Sequence, residues 1–353
     1  MTALRTELSL ARFPTGDGDP VVIIAEIGVN HNGSVELGLD HVRAAADAGA
    51  GAVKFQTFKS TEVVTTWAPS APYQRDALGV GSQLEMIRNL ELSETDLAVL
   101  MKESRRLGLV AFSSPFDLDS VEILLRVGVE WMKVASGELT NHELIAEIGA
   151  TGLPTFISTG MATLPEIEAS LNLYEQSGGG PVVLLHCVSS YPAPLDQMNL
   201  RAIETLRRTF GVPVGLSDHT IGRDAAVAAV TLGARAIEKH MTVNRQLRGP
   251  DHAMSMEPAE LAGMVSTIRQ LERGGLGTGS KILASVEIPI QSLARRSIVT
   301  REAIPAGTKI TRAMLAVKRP AGGLGPERLA DVVGRRARRD LGFEERITLD
   351  DLD

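Results

Sequence analysis

The chain is predicted to be an α/β protein, a closed (β/α)8 TIM-type barrel followed by a small separate module, on three observations. Short β-branched runs alternate with longer amphipathic segments from Val21 to about Gly274. Reactive polar side chains stand at the end of nearly every run. Beyond Gly274 the texture changes to a glycine-rich exit and short strand-and-turn patterns. Eight strand and helix units in roughly 250 residues match a closed barrel. A doubly wound open sheet is the alternative, but it would gather its chemistry at one switch point instead of at every strand end.

The run VVIIAEIG opens the series, with one carboxylate, Glu26, inside an apolar stretch and the polar loop VNHNG after it. Leu37 to Ala48 then carry apolar residues at helical spacing. AVKFQTF presents Lys54 and Gln56, and VAFSSPF presents Ser113 and Ser114 ahead of a helical pattern from Asp119 to Val127. EWMKVASGE carries Lys133, Ser136 and Glu138, and PTFISTG ends on Ser158 and Thr159 before a helix from Leu164 to Tyr174. VVLLHCVSS leads to Ser189, Ser190 and Tyr191, and PVGLSDHT carries Ser217, Asp218 and His219 ahead of Asp224 to Leu232. AIEKHMTV closes the set with Glu238, Lys239 and His240. Side chains two apart share a strand face, so Lys54 with Gln56, Ser217 with His219, and Glu238 with His240 can each point inward together. In a barrel the loops after the strands converge, which directs Glu26 toward the mouth. Residues 1–274 therefore read as the barrel, 275–294 as a linker and 295–353 as the module, whose runs SIVTREAIPAGTKIT and MLAVKRPAGGLG suggest short strands and tight turns.

Composition narrows the function classes. The 353 residues are 44% hydrophobic, enough for a large core, and the formal charge of -7 offers no overall attraction to nucleic acid or an anionic membrane. Cys187 is the single cysteine, so no internal disulfide forms, in keeping with a reducing compartment. No run approaches the roughly 20 apolar residues of a membrane helix, and the first twenty residues lack the apolar core of a signal peptide. The expectation is a soluble, cytoplasmic chain.

The strand-end groups suggest a site. His219 and His240, on adjacent strands, suit a divalent metal with open positions for water and substrate; the alternative is that each merely bonds a neighbouring loop. Lys54 and Lys133 with the hydroxyls of Ser136, Ser158, Ser189 and Ser217 would form a cationic floor for a phosphate or carboxylate, unless the lysines pair structurally with Glu138 or Glu238. Glu26 could hold water or move a proton, or be the partner of Lys54 or His240. Asp251, in GPDHAMSMEP, could clamp a sugar or take part in capping the last helix with Ser255. No GxxxxGK[ST] or strand-linked GxGxxG points to a nucleotide.

With these residues placed, the chain resembles the sialic acid synthase family, the N-acetylneuraminate-type synthases, which include legionaminic and pseudaminic acid synthases. The resemblance runs through nearly the whole chain, in IAEIGVNHNG, VKFQTFK, APYQ, SQLEM, LELS, SSPFD, KVASGE, ISTGMA, HCVSSYPAP, GLSDHT, IEKHMT, GPDHAMSMEP, RRSIV and VKRPAGGLGP. It implies a barrel followed by an antifreeze-like (SAF, β-clip) domain, and a domain-swapped homodimer in which each tail covers the partner's barrel. It implies an enzyme that condenses phosphoenolpyruvate with N-acetylmannosamine or a related N-acyl amino sugar and releases phosphate by C–O cleavage. By the same resemblance, His219 and His240 would hold Mn2+ or Mg2+, and Glu26 would manage the metal-bound water. Lys54, Lys133, Ser136, Ser158, Ser189 and Ser217 would grip phosphoenolpyruvate, while Gln56, Tyr191, Asp251 and, from the partner, Arg319 would surround the acceptor. Ser189 stands where some members carry Asn. Two other readings are a phosphoenolpyruvate-dependent synthase for a shorter sugar acid, whose family resembles only the barrel half, and nucleic-acid binding through Arg335, Arg336, Arg338 and Arg339.

Overall fold

The structure, a computed structural model, describes residues 13–14, 18–69 and 83–353, so APYQ and the first residue of SQLEM lie outside the described residues. The chain divides into two compact units, 1–276 and 277–353.

In the first unit β1 (Val22–Gly28) is followed by α1 (Val35–Asp47), whose first turn is capped by Ser34 Oγ accepting from the Leu37 amide. After β2 (Ala52–Thr57) come α2 (Ser60–Val63), α3 (Gln83–Arg88) and α4 (Glu94–Arg106), the last opened by a Ser93–Asp96 capping box. The order continues β3 (Val110–Pro115), α5 (Leu118–Val127), β4 (Met132–Val134), α6 (His142–Ala150), β5 (Thr155–Ser158) and α7 (Leu164–Gln176). It ends β6 (Val182–Cys187), α8 (Ala202–Phe210), β7 (Val214–Asp218), α9 (Asp224–Thr231), β8 (Ala236–His240) and α10 (Pro258–Gln270).

All eight strands are parallel neighbours in chain order, and β8 closes on β1, so the sheet is a barrel and not the open alternative. Alternation along the strands sorts the side chains into two cores. Outward residues such as Ile23, Ala25, Val53, Leu184 and Ile237 pack with the helices. Ile24, Ala52, Phe112, Trp131, Phe156, Leu185 and Ala236 form a second core inside the barrel, joined by Phe13. There the Trp131 ring lies 5.4–5.6 Å from Phe13, Phe112 and Phe156, an edge-to-face plug at the N-terminal end. Two residues further along each strand the inward positions turn polar: Glu26 after Ile24, Lys54 after Ala52, Lys133 after Trp131, Ser158 after Phe156, and Glu238 after Ala236. Register sets Glu26 opposite both Lys54 and His240, and Ser217 opposite Glu238.

The second unit pairs β9 (Ser297–Thr300) antiparallel with β10 (Leu315–Lys318) around a core of Ile298, Ile310, Leu315, Leu341 and Ile347. Its basic run is engaged internally. Arg335 and Arg338 meet Asp353, Arg336 reaches the Gly307 carbonyl, and Arg339 contacts Asp351 and Glu345. Among the described residues no helix is long and apolar enough to cross a membrane.

Candidate functional site

At the C-terminal ends of the strands a cavity of about 610 Å3 is lined by the twelve barrel residues expected to hold metal or substrate, from Glu26 to Asp251, whereas Ser113, Glu138, Thr159, Ser190, Asp218 and Lys239 lie off its lining. Arg319 belongs to the second unit, directly after β10.

The floor is a buried lattice of opposite charges. Lys54 Nζ lies 2.9 Å from Glu26 Oε2 and 3.6 Å from Glu238 Oε2, and donates to Ser114 Oγ at 3.1 Å. Lys133 Nζ and Ser217 Oγ both meet Glu238 Oε1, at 3.3 and 2.8 Å, and Gln56 Nε2 donates to Glu26 Oε1 at 3.2 Å. All four charged side chains are at most 5% exposed. The two carboxyls are pushed apart in acidity. Burial lifts Glu26 to about 7 against the pull of Lys54. Burial would lift Glu238 too, but the ammonium groups of Lys133 and Lys54 override it and hold that carboxyl at about 2. Pairing with Glu238 is thus realised for both lysines, whereas Glu138 accepts from Asn141 instead.

Hydroxyls line the wall beside this floor. Ser136 leaves β4 in a 3-10 turn and its Oγ accepts from the Gly160 amide at 3.0 Å. Ser158 Oγ is buried on the cavity lining with no hydrogen-bond partner among the described residues. A Cβ at Gly160 would overlap both Ser189 Oγ and Ser136 Oγ and crowd Cys187 Sγ. Only glycine lets these groups converge.

Next to this wall the His219 and His240 rings stand 5.4 Å apart, with the Tyr191 ring 4.3 Å from the first and 6.1 Å from the second. His219 Nδ1 donates to the Val188 carbonyl at 3.0 Å, which fixes the tautomer and leaves Nε2 with its lone pair. His240 Nδ1 is buried without a hydrogen bond, 3.9 Å from Asp251 Oδ2. Burial, reinforced by His219, holds the His240 imidazole well below its ordinary acidity range and therefore neutral. Burial pushes the Asp251 carboxyl up to about 6. Among the described residues no three His, Cys, Asp or Glu side chains group as a metal cage. Burial pulls His219 down, but contact with Cys187 and the Val188 carbonyl outweighs it and pushes that imidazole up. The orphaned nitrogen of His240 and, in its neutral form, Nε2 of His219 fit an ion whose other positions are left to water and substrate.

The loop VNHNG orients Asp251. Asn30 Nδ2 donates to the Met241 carbonyl at 2.8 Å and to Ser255 Oγ at 2.9 Å, and Ser255 Oγ in turn donates to the Asp251 carbonyl at 2.6 Å. His252 is held between Thr242 Oγ1 and Asn32 Oδ1. The capping alternative for Asp251 is not realised, since α10 begins at Pro258 with Glu257 as its cap and the Asp251 side chain makes no cap bond.

Sequence reasoning missed three features. Glu238, turned inward with His240 by alternation and given as a structural partner of the lysines, has no place among the expected site residues, yet it stands among the anion-floor donors. Cys187 lies 3.7 Å from His219 Nδ1 on the cavity wall. Val29, Phe58, Met86, Ile87, Leu90 and Phe116 add an apolar side to the cavity, built from loops and α3, where no periodicity announces it.

The model of the NeuB family matches residues 41–281, and that of the SAF domain matches 295–353. The N,N'-diacetyllegionaminic acid synthase of Legionella pneumophila is 41% identical over 93% of each chain. The human N-acetylneuraminate-9-phosphate synthase is 32% identical, over 94% of this chain and 92% of that one. The crystal structure of the N-acetylneuraminic acid synthetase of Leptospira borgpetersenii superposes with a TM-score of 0.69 at 34% identity, covering 78% of this chain and 92% of that one. The chain belongs to the NeuB family and carries a C-terminal SAF domain.

Proposed function

We propose that this protein is a nonulosonic acid synthase that joins phosphoenolpyruvate to an N-acylated amino sugar and releases phosphate. The observation that carries the reading is the convergence, in one cavity, of two buried lysines, four serine hydroxyls and two neutral-capable imidazoles. Lys54 and Lys133, with Ser136, Ser158, Ser189 and Ser217, bind the carboxylate and phosphate of phosphoenolpyruvate. Gln56, Tyr191 and Asp251 hold the acceptor, joined in a homodimer by Arg319 of the neighbouring copy. His219 and His240 would hold a divalent ion, Mn2+ or Mg2+, which when bound supplies Lewis-acid polarisation of the acceptor carbonyl.

The residues order the bond changes. The methylene carbon of phosphoenolpyruvate attacks the aldehyde carbon, forming the C–C bond, and the aldehyde oxygen takes up a proton. Positive charge develops at C2 beside the buried carboxylates. Water adds there, with Glu26 oriented by Gln56 to receive its proton. The tetrahedral adduct then collapses by breaking the bond between C2 and the phosphate oxygen, the hydroxyl proton passing to the departing phosphate, and leaves an α-keto acid. Lys54 and Lys133 carry the charge of the departing phosphate. A lysine Schiff base plays no part.

The acceptor is best matched by a 2,4-diacetamido-2,4,6-trideoxyhexose, the substrate type of a legionaminic acid synthase. Its acetamido and C6 methyl groups suit the apolar side of the cavity. N-acetylmannosamine, with a polar C6, is the competing acceptor. Purified protein supplied with phosphoenolpyruvate and Mn2+ should release phosphate with the diacetamido sugar at a higher kcat/KM than with N-acetylmannosamine. In labelled water the phosphate should keep its bridging oxygen unlabelled. No phosphate release with either acceptor, or solvent label in the phosphate, would sink the reading.

A further inference from the structure

Three of the donors assigned to phosphoenolpyruvate, Ser217, Lys133 and Lys54, are already in use. Glu238 Oε1 accepts from Ser217 Oγ at 2.8 Å and sits 3.3 Å from Lys133 Nζ, while Oε2 has no hydrogen bond and lies 3.6 Å from Lys54 Nζ. These three side chains belong to the anion floor, and Glu238 is 4% exposed at its centre. With Glu26 beside Lys54, the floor holds two cations against two carboxyl groups. At Ser217, Lys133 and Lys54 an incoming phosphate or carboxylate group therefore meets donors already engaged with a carboxylate. A carboxylate a few ångströms away in a buried site repels such an anion strongly.

We propose that Glu238 is an internal anion that competes with phosphoenolpyruvate for Ser217, Lys133 and Lys54, and so limits how tightly the site holds the substrate and the released phosphate. The inference rests on the reading of this floor as the anion site. Its physical logic is turnover. A floor of two buried lysines and four hydroxyls with no counter-charge would bind inorganic phosphate tightly and release it slowly. A carboxylate on the same donors offers them a partner the moment phosphate leaves, so no buried ammonium is stranded. Glu238 is well suited because strand pairing sets it opposite Ser217 and its backbone cannot withdraw.

The test is direct binding of inorganic phosphate to the full-length chain, by calorimetry, without turnover. Glu238→Gln keeps the shape and removes the charge, and should bind phosphate roughly tenfold or more tightly than wild type. In steady state the same variant should lower kcat and the KM for phosphoenolpyruvate together, with phosphate a stronger product inhibitor. A merely structural Glu238 would raise that KM instead. Phosphate binding unchanged or weaker in a folded Glu238→Gln variant overturns the proposal. Should the variant not fold, a crystal structure of wild type with phosphate decides. Ser217 Oγ should then turn from Glu238 to a phosphate oxygen, and a retained Ser217–Glu238 bond beside bound phosphate overturns the idea. Wild type that binds neither phosphate nor phosphoenolpyruvate would sink the anion-site reading itself.

Discussion

Removing both members of the Asp218–Lys239 pair should destabilise the barrel by less than the sum of the two single removals. Asp218 and Lys239 face each other across β7 and β8, one residue before His219 and His240, on the face turned away from the cavity. Their side chains are 0% and 2% exposed, and Lys239 Nζ lies 2.8 Å from Asp218 Oδ2 and 2.5 Å from the Thr220 carbonyl. Asp218 Oδ1 also accepts from the Thr220 amide at 2.9 Å and its hydroxyl at 2.8 Å. Asp218→Asn leaves a buried ammonium with the Thr220 carbonyl as its strong acceptor, at a cost of about 3–5 kcal/mol. Lys239→Met leaves a carboxylate that keeps two Thr220 donors, so its cost falls toward about 3 kcal/mol. In the double variant no charge is stranded, and the loss should be about 2–3 kcal/mol smaller than the sum. Urea unfolding followed by fluorescence reads this well, since Trp131 is buried in the barrel plug and the only other tryptophan, Trp67, is 80% exposed. Single variants costing under about 1 kcal/mol, or strict additivity, would refute the reasoning.

Three further outcomes are expected. Burial, with a smaller push from His41, holds His31 down from 6.5 to about 4, so the unfolded chain binds a proton there before the folded one does; stability should be full above pH 6.5 and fall as pH drops toward 4, by about 2 kcal/mol at pH 5. Urea titrations at pH 8 and pH 5 check this, and in a His31→Asn variant that slope should shrink. Gly160→Ala drives a methyl into Ser136 and Ser189 and should weaken phosphate binding by about tenfold or more while the unfolding midpoint moves little. His240→Ala should lower Mn2+ affinity measured by calorimetry by at least about tenfold, and unchanged affinity would remove that residue from the ion site.

The barrel was legible because its evidence is local. Each strand is a short β-branched run, and alternation within a run told which side chains turn inward, as it did for Lys54, Gln56, Ser217 and His219. Strand lengths were read too long where polar chemistry begins: EWMKVASGE shrinks to Met132–Val134, because Ser136 leaves the ladder to meet the Gly160 amide. What no single run can disclose is contact between runs. Glu238 meets Ser217 from β7, Lys133 from β4 and Lys54 from β2, a conjunction that exists only once eight strands close. Gly160 is silent for the same reason, since its role is the space it leaves for residues on two other strands.

Closure gives a physical basis to both readings of Glu26, as a structural partner of Lys54 and as a group that handles protons. The register sets it opposite Lys54 and His240 alike, and burial drives its acidity to about 7 despite the ammonium 2.9 Å away. A purely structural ion pair would keep its carboxyl well below the ordinary range, as Glu238 does. Both carboxyls are fully desolvated, but Glu26 has Lys54 and only weakly Lys133 on its side and is pushed up further by Glu238, whereas Glu238 has both lysines and a serine hydroxyl. That difference in partners, set by barrel register, separates the two carboxyls, holding Glu238 low while burial lifts Glu26 to about 7.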